Sequence, residues 1–157
     1  MIPLRDQLTG LLIPEAFQLL VEHELIVSRR LRRTDTLLVV DVTHMREMND
    51  ALGADQGDEI LRAVGQLLRR TARESDIVGR LGGDEFAIYA LDCQGTSLAQ
   101  RLNAAASAAP VAAPGGDAYT MPVEMRIGLM EVDPDETFDE LMMRAGPAAL
   151  KTQASKA

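Results

Sequence analysis

Two adjacent carboxylates, Asp84 and Glu85, follow two glycines, Gly82 and Gly83, inside the run Ile77–Leu91, IVGRLGGDEFAIYAL. Neighbouring acids repel one another unless a cation lies close. Glycines leave the backbone open to the approach of a bulky ligand. A solvated acidic turn is the plain alternative, since Gly and Asp are ordinary turn residues. A third carboxylate, Asp41, ends the apolar run Leu37-Leu38-Val39-Val40. Carboxylates gathered without histidine or cysteine favour hard cations, Mg²⁺ in particular. Mg²⁺ takes one or two carboxylates and completes its shell with phosphate oxygens, so it would offset both the acidic turn and an incoming triphosphate. Two such ions can activate a hydroxyl and stabilise a leaving oxygen in phosphoryl or nucleotidyl transfer. The rival is a glycosidase-like carboxylate pair. Aromatic content of 3% and the absence of tryptophan leave little to stack on a sugar.

These residues converge only if the elements around them cooperate. Ile77-Val78 and Phe86-Ala87-Ile88-Tyr89 have strand character, and Gly-Gly between them reads as a tight hairpin with glycine at φ > 0. Leu37–Val40, apolar on both faces, reads as a central covered strand stopping at Asp41. Before it, Pro14 opens a helix whose stripe Phe17, Leu20, Val21, Leu25 runs to about Leu31; Arg29, Arg30, Arg32 and Arg33 then complement its C-terminal dipole. After it, Thr43 is expected to cap a short helix over His44–Leu52 with Gly53 as its stop, and Asp55 to cap a second that carries Ile60, Leu61, Val64, Leu67 and Leu68. His44 reads as a helix-surface residue, and Met45 and Met48 as core. An alanine-rich helix over Ser97–Ala109, a loop over Pro110–Asp117, a half-buried strand alternating through Val123, Met125, Ile127 and Leu129, and a last helix from Phe138 interrupted at Gly146-Pro147 complete the chain. Helices and hairpins mixed in this order predict an α+β sandwich with a mostly antiparallel sheet. In such a sheet the end of strand 37–41 lies beside turn 82–85.

With 157 residues, no internal repeat and no linker, one domain over 1–157 is expected. Hydrophobic content of 46% and charged content of 25% are those of a globular protein. No apolar run approaches the roughly 20 residues needed to cross a bilayer, and Arg5 and Asp6 break the only apolar start. Cys93 is the one cysteine, which excludes an internal disulfide and fits a reducing, cytoplasmic compartment; it reads as a small residue at a strand end. A net charge of −8 argues against nucleic acid or an anionic membrane as partner. Of the 16 cationic residues 14 are arginine, and both lysines, Lys151 and Lys156, lie at the end.

ARESDIVGRLGGDEFAIYA, following DVTHMREMND and an opening DQLTGL, resembles the GGDEF domain of diguanylate cyclases over about residues 6–153. The resemblance implies a palm-like fold related to nucleotidyl cyclases and a reaction joining two GTP molecules into cyclic di-GMP with release of two pyrophosphates. It implies Mg²⁺, two ions per site with Mn²⁺ as a substitute, at Asp41, Asp84 and the backbone carbonyl of Val42. Glu85 matches the acid implicated in metal binding or in activating the 3′-hydroxyl. Gly82 and Gly83 match the glycines under the phosphates, and Asn49 and Asp58 the guanine readers. Arg46 stands where the family usually has a lysine near the phosphates. Arg73 and Asp76 match an inhibitory site for the product, cyclic di-GMP. Catalysis would need a homodimer, because each domain offers one GTP.

The departures from the pattern cluster. Thr43 replaces a common aspartate, Ala54 a common histidine, and Arg126 the serine of a strand signature. The C-terminal signature is eroded: Gly146 stands for Asp, Ala149 for Leu, Leu150 for Tyr and Gln153 for Lys, with Ala157 where an arginine is common. Lys151 lies about 200° around a helix from Gln153, on the wrong face. The family's closing strand is missing and the chain starts at the opening motif, so a fragment of a longer signalling protein is expected. Two readings follow: a diguanylate cyclase domain, or a GGDEF-like module that binds GTP or cyclic di-GMP without turnover.

Overall fold

A computed structural model of the chain describes residues 3–114 and 120–146. Its elements are α1 (Pro14–Leu31), β1 (Thr36–Val42), α2 (Met45–Leu52), α3 (Ala54–Thr71), β2 (Ile77–Arg80), β3 (Glu85–Ala90), α4 (Gly95–Ala108), β4 (Ala112–Pro114), β5 (Thr120–Pro122), β6 (Met125–Glu131) and α5 (138–146). The fold is α+β. A four-stranded sheet of order β2-β3-β1-β6 has every neighbouring pair antiparallel.

Alternation along β1 and β3 sends side chains to opposite faces of the sheet. Leu38, Val40, Val42, Phe86 and Ile88 face one core, closed by Met45 of α2, Ile60, Val64, Leu67 and Leu68 of α3, and Leu98 and Leu102 of α4. Leu37, Ala87 and Tyr89 face the other, closed by Phe17, Val21 and Leu25 of α1 and Leu141 and Ala145 of α5. Each fully buried Leu, Val or Phe contributes about 1.5–3 kcal/mol. β1 is therefore central and covered on both sides, as its composition predicts.

Several local expectations change. β1 runs one residue past Asp41, to Val42. Thr43 does not cap α2: its hydroxyl and its N–H both go to the Glu124 carbonyl, at 3.1 and 3.0 Å, which tethers the loop to the residue before β6. The residue before α2 is instead His44, left-handed at φ 61. Nor does Asp55 cap α3. Gly53 joins α2 to α3 at φ 93, a conformation that suits glycine, and Asp55 lies in the first turn. Within the expected loop 110–117, Ala112–Pro114 pairs with Thr120–Pro122 as a small separate ribbon. β6 starts at Met125 and lies at the sheet edge, where only Gly128 is fully covered.

Arg33 does more than meet a helix dipole. Its guanidinium donates to both oxygens of Asp35, at 2.7 and 3.0 Å, and to Glu24 at 2.8 Å. The Asp35 side chain is fully buried and also accepts from the Tyr89 hydroxyl at 2.6 Å and the Asp92 N–H at 2.8 Å. Burial pushes the Asp35 carboxyl up, but these donors outweigh it and hold the group below the usual carboxylate range. Burial and the Asp35 charge push the Tyr89 phenol up. This network locks α1 to β1 and β3 at the end of the sheet away from Asp41.

Candidate active site

Asp41 sits in register with Glu85 of β3 on one side and Arg126 of β6 on the other. The next backbone link, from the Val42 N–H to the Asp84 carbonyl at 2.9 Å, fixes the hairpin turn against the end of β1. Asp41, Asp84 and Glu85 thus converge, as the strand order requires. The Asp41 carboxyl is pushed up, first by burial and then by the Asp84 charge, while Arg126 draws it down. Two carboxylates held this close favour an added cation. Among the described residues no group of three or more His, Cys, Asp or Glu is placed to hold an ion. Two carboxylates with backbone oxygen nearby are a hard, all-oxygen donor set that leaves much of the shell to other oxygens, which suits a hard divalent cation.

The turn between β2 and β3 is braced from below. Arg80 donates through Nε to the carbonyls of Gly82 and Gly83, both at 3.2 Å, and through Nη2 to Gly83 at 2.7 Å. Its Nη1 reaches both oxygens of Asp6, at 3.2 and 3.1 Å. Asp6 in turn accepts from the N–H and hydroxyl of Thr9, each at 2.8 Å. Burial pushes the Asp6 carboxyl up; the Thr9 and Arg80 donors more than reverse this and lower it. The opening motif and the acidic turn are one hydrogen-bonded unit. Sequence reasoning gave Arg80 no role, although a lone arginine two residues before a carbonyl-rich turn is a usable signal.

Neither Gly82 nor Gly83 takes a positive φ, contrary to the expectation from the hairpin. A side chain at Gly83 would meet nothing within 4 Å, and one at Gly82 only Glu85 at ordinary contact distance. Neither fold geometry nor packing requires these glycines. What they do provide is bare backbone facing outward.

Asn49 and Asp58 lie on α2 and α3, across the Gly53 junction. The Asn49 side chain packs on Gly57, the residue before Asp58, where a Cβ would fall 1.7 Å from the Asn49 Oδ1. Arg46 is exposed one turn earlier on α2. Arg73 is exposed after α3 and lines a groove of about 330 Å³ with Arg5, Arg69, Glu74 and Asp76. Asp76 differs from expectation in its surroundings. Its side chain is fully buried, accepting from the Arg73 N–H at 2.8 Å and the Leu91 N–H at 3.1 Å, with Arg101 at 3.7 Å. Its carboxylate holds the turn 73–76 against the end of β3. Ala149, Leu150, Lys151, Gln153, Lys156 and Ala157 of the C-terminal signature lie outside the described residues, as does Pro147.

The model of the family described as "Diguanylate cyclase, GGDEF domain" matches residues 4–157. The chain is 30% identical over 152 residues to diguanylate cyclase DgcM of Escherichia coli strain K12, covering 94% of this chain and 35% of that protein. It is 34% identical over 155 residues to cyclic di-GMP phosphodiesterase NbdA of Pseudomonas aeruginosa, covering 95% of this chain and 19% of that protein. The chain thus spans a fifth to about a third of these relatives' length. The crystal structure of the GGDEF domain of DgcB from Caulobacter crescentus, in complex with c-di-GMP, is similar with a TM-score of 0.86 at 23% identity, covering 99% of this chain and 92% of that one. At that identity the likeness speaks for the fold.

Proposed function

The chain belongs to the GGDEF family of diguanylate cyclases, and from that premise we propose that it is a cyclase domain joining two GTP molecules into cyclic di-GMP. The observation that carries this is the convergence of Asp41 with the Asp84-Glu85 turn, fixed by the Asp41–Glu85 register and the Val42–Asp84 hydrogen bond. Asp41, Asp84 and the Val42 carbonyl would hold Mg²⁺, with Mn²⁺ as a substitute. When bound, the metal supplies charge neutralisation at the phosphates and Lewis acidity at the attacked phosphorus. Glu85, exposed beside them, takes the 3′-hydroxyl proton or steadies the metal. The outward backbone of Gly82 and Gly83 lets the phosphates approach closely, and Arg46 adds a cation from α2. Asp58 accepts from the guanine N1–H and amino group, and Asn49 bonds its O6 or N3. The 3′-oxygen of one GTP attacks the α-phosphorus of the other and pyrophosphate leaves. Two copies must face each other, so the working form is a homodimer, in the cytoplasm where GTP is available, within a longer signalling protein.

Incubation with GTP and Mg²⁺ followed by chromatography of the products tests the reading. Cyclic di-GMP and pyrophosphate are expected. A folded chain that binds GTP yet releases neither sinks the enzyme reading.

A second reading has its own observation. Arg73, exposed in a groove with Arg5 and Arg69, offers clustered positive charge on an acidic protein. We propose this groove, with Arg73 and Asp76, as a site for cyclic di-GMP as inhibitor. It would let the domain act as a receptor even without turnover. Arg73→Ala should abolish cyclic di-GMP binding and leave GTP binding intact; loss of both together would count against a separate site.

A further inference from the structure

We propose that Arg126 is a phosphate-binding residue of this site, reaching the nucleotide's phosphate chain from β6; the proposal rests on the GTP reading above. Arg126 lies opposite Asp41, and Asp41 lies opposite Glu85. Directly paired residues on neighbouring strands project from the same face of a sheet. Glu85, Asp41 and Arg126 therefore form one row across β3, β1 and β6. All three line a cavity of about 190 Å³ on the α5 face of the sheet, together with Leu81, Met142 and Gly146.

Within that row Arg126 is incompletely satisfied. Its Nε is buried and has no hydrogen-bond partner among the described residues. An N–H taken from water without an acceptor is costly, and such a group in a folded protein asks for an explanation. An anion entering beside Asp41 and Glu85 supplies the acceptor. A guanidinium suits this task, because its planar fork matches two phosphate oxygens at once. Arg80 cannot serve here, because it is engaged with the Gly82 and Gly83 carbonyls and with Asp6. Among the described residues space is available as well, since a side chain at Gly146 would meet none of them within 4 Å. The chain carries glutamine at 153, where a cation would complete its C-terminal signature. Arginine at 126 adds positive charge from β6.

The test compares the whole chain with Arg126→Met and Arg126→Lys by calorimetric titration with GTP and with pyrophosphate, both with Mg²⁺, and by thermal melting. Arg126→Met should weaken GTP and pyrophosphate alike, by about tenfold or more, and Arg126→Lys by less. Arg126→Met also removes the positive charge that draws the Asp41 carboxyl down, so its melting temperature without nucleotide should fall modestly, whereas Arg126→Lys keeps that charge and should melt close to the wild type. A residue needed only for the fold would leave affinity intact in the molecules that stay folded. Unchanged GTP affinity in Arg126→Met, or pyrophosphate binding that is absent from the wild type or insensitive to the change, would overturn the proposal. Failure of the wild type to bind GTP would remove the functional reading and this inference together. Wild-type binding that Arg126→Met leaves intact would remove this inference alone.

Discussion

At the scale of single residues, burial and the Asp84 charge both push the Asp41 carboxyl up, so its charged form is disfavoured there. In EDTA at neutral pH, Asp41→Asn should therefore raise the melting temperature, since an uncharged side chain escapes both penalties. The same change should lower cyclase activity by more than about a hundredfold, because even residues that only support a metal ligand commonly cost about 10–100-fold. Melting curves and product analysis on one preparation check both; a destabilised Asp41→Asn would contradict the electrostatic account. Gly57 gives a second separation of stability from function. Alanine there favours the helix by about 0.8–1 kcal/mol, but its Cβ occupies the position of the Asn49 Oδ1. The Asn49 side chain is exposed and can swing away. Gly57→Ala should fold at least as well as the wild type and lose about tenfold or more in preference for GTP over ATP, measured by competition binding.

At the scale of elements, the bracing of the β2–β3 turn sets the precision of the site. Arg80→Ala removes exposed hydrogen bonds to the Gly82 and Gly83 carbonyls and a partly buried, charge-assisted pair with Asp6, the latter worth about 1.5–3 kcal/mol. It should lower the urea midpoint, and it should depress turnover more than GTP affinity. At the other end of the sheet, Asp35 governs acid stability. Its carboxyl is lowered in the fold, so its contribution is complete above the ordinary value of 3.8 and is lost as pH falls through the depressed value. Denaturant titrations should show Asp35→Asn weaker than the wild type at pH 7 by about 3 kcal/mol, the low end for breaking a buried pair, because Arg33 keeps Glu24. The gap should narrow toward pH 2. The helices, the four long strands and the meeting of Asp41 with Asp84-Glu85 were legible in the sequence, because period and strand order alone dictate them. The Arg33–Asp35–Tyr89 and Arg80–Asp6 networks were not, since each joins residues distant in the chain through side-chain reach rather than local pattern. Thr43 and Asp55 misled for a related reason. Each has the chemistry of a cap, but a tertiary acceptor on Glu124 claimed Thr43, and the Gly53 bend left Asp55 inside the helix.

For the whole molecule, the proposed reaction turns on the encounter of two copies. Each presents Asp41, Asp84 and Glu85 around its site, and a chain of net charge −8 repels its like. Fusion to a parallel coiled-coil dimer raises the effective concentration to about the millimolar range. A large gain in turnover at micromolar chain concentration is expected; high turnover from a chain shown by sedimentation to be monomeric would contradict the two-copy requirement. Finally, the Asp6–Arg80–Gly83 chain of hydrogen bonds has a consequence for local unfolding. Residues 6–12 pair with β2 through the Leu12 and Arg80 amides, and Arg80 in turn grips the acidic turn. Neither segment can open without breaking the bonds that hold the other. The amides of Gly10, Leu12, Leu81 and Gly82 should therefore exchange with deuterium as one cooperative unit, with a common opening free energy. A protease that nicks the chain near residue 9 would loosen the catalytic turn, although more than seventy residues separate the two in sequence.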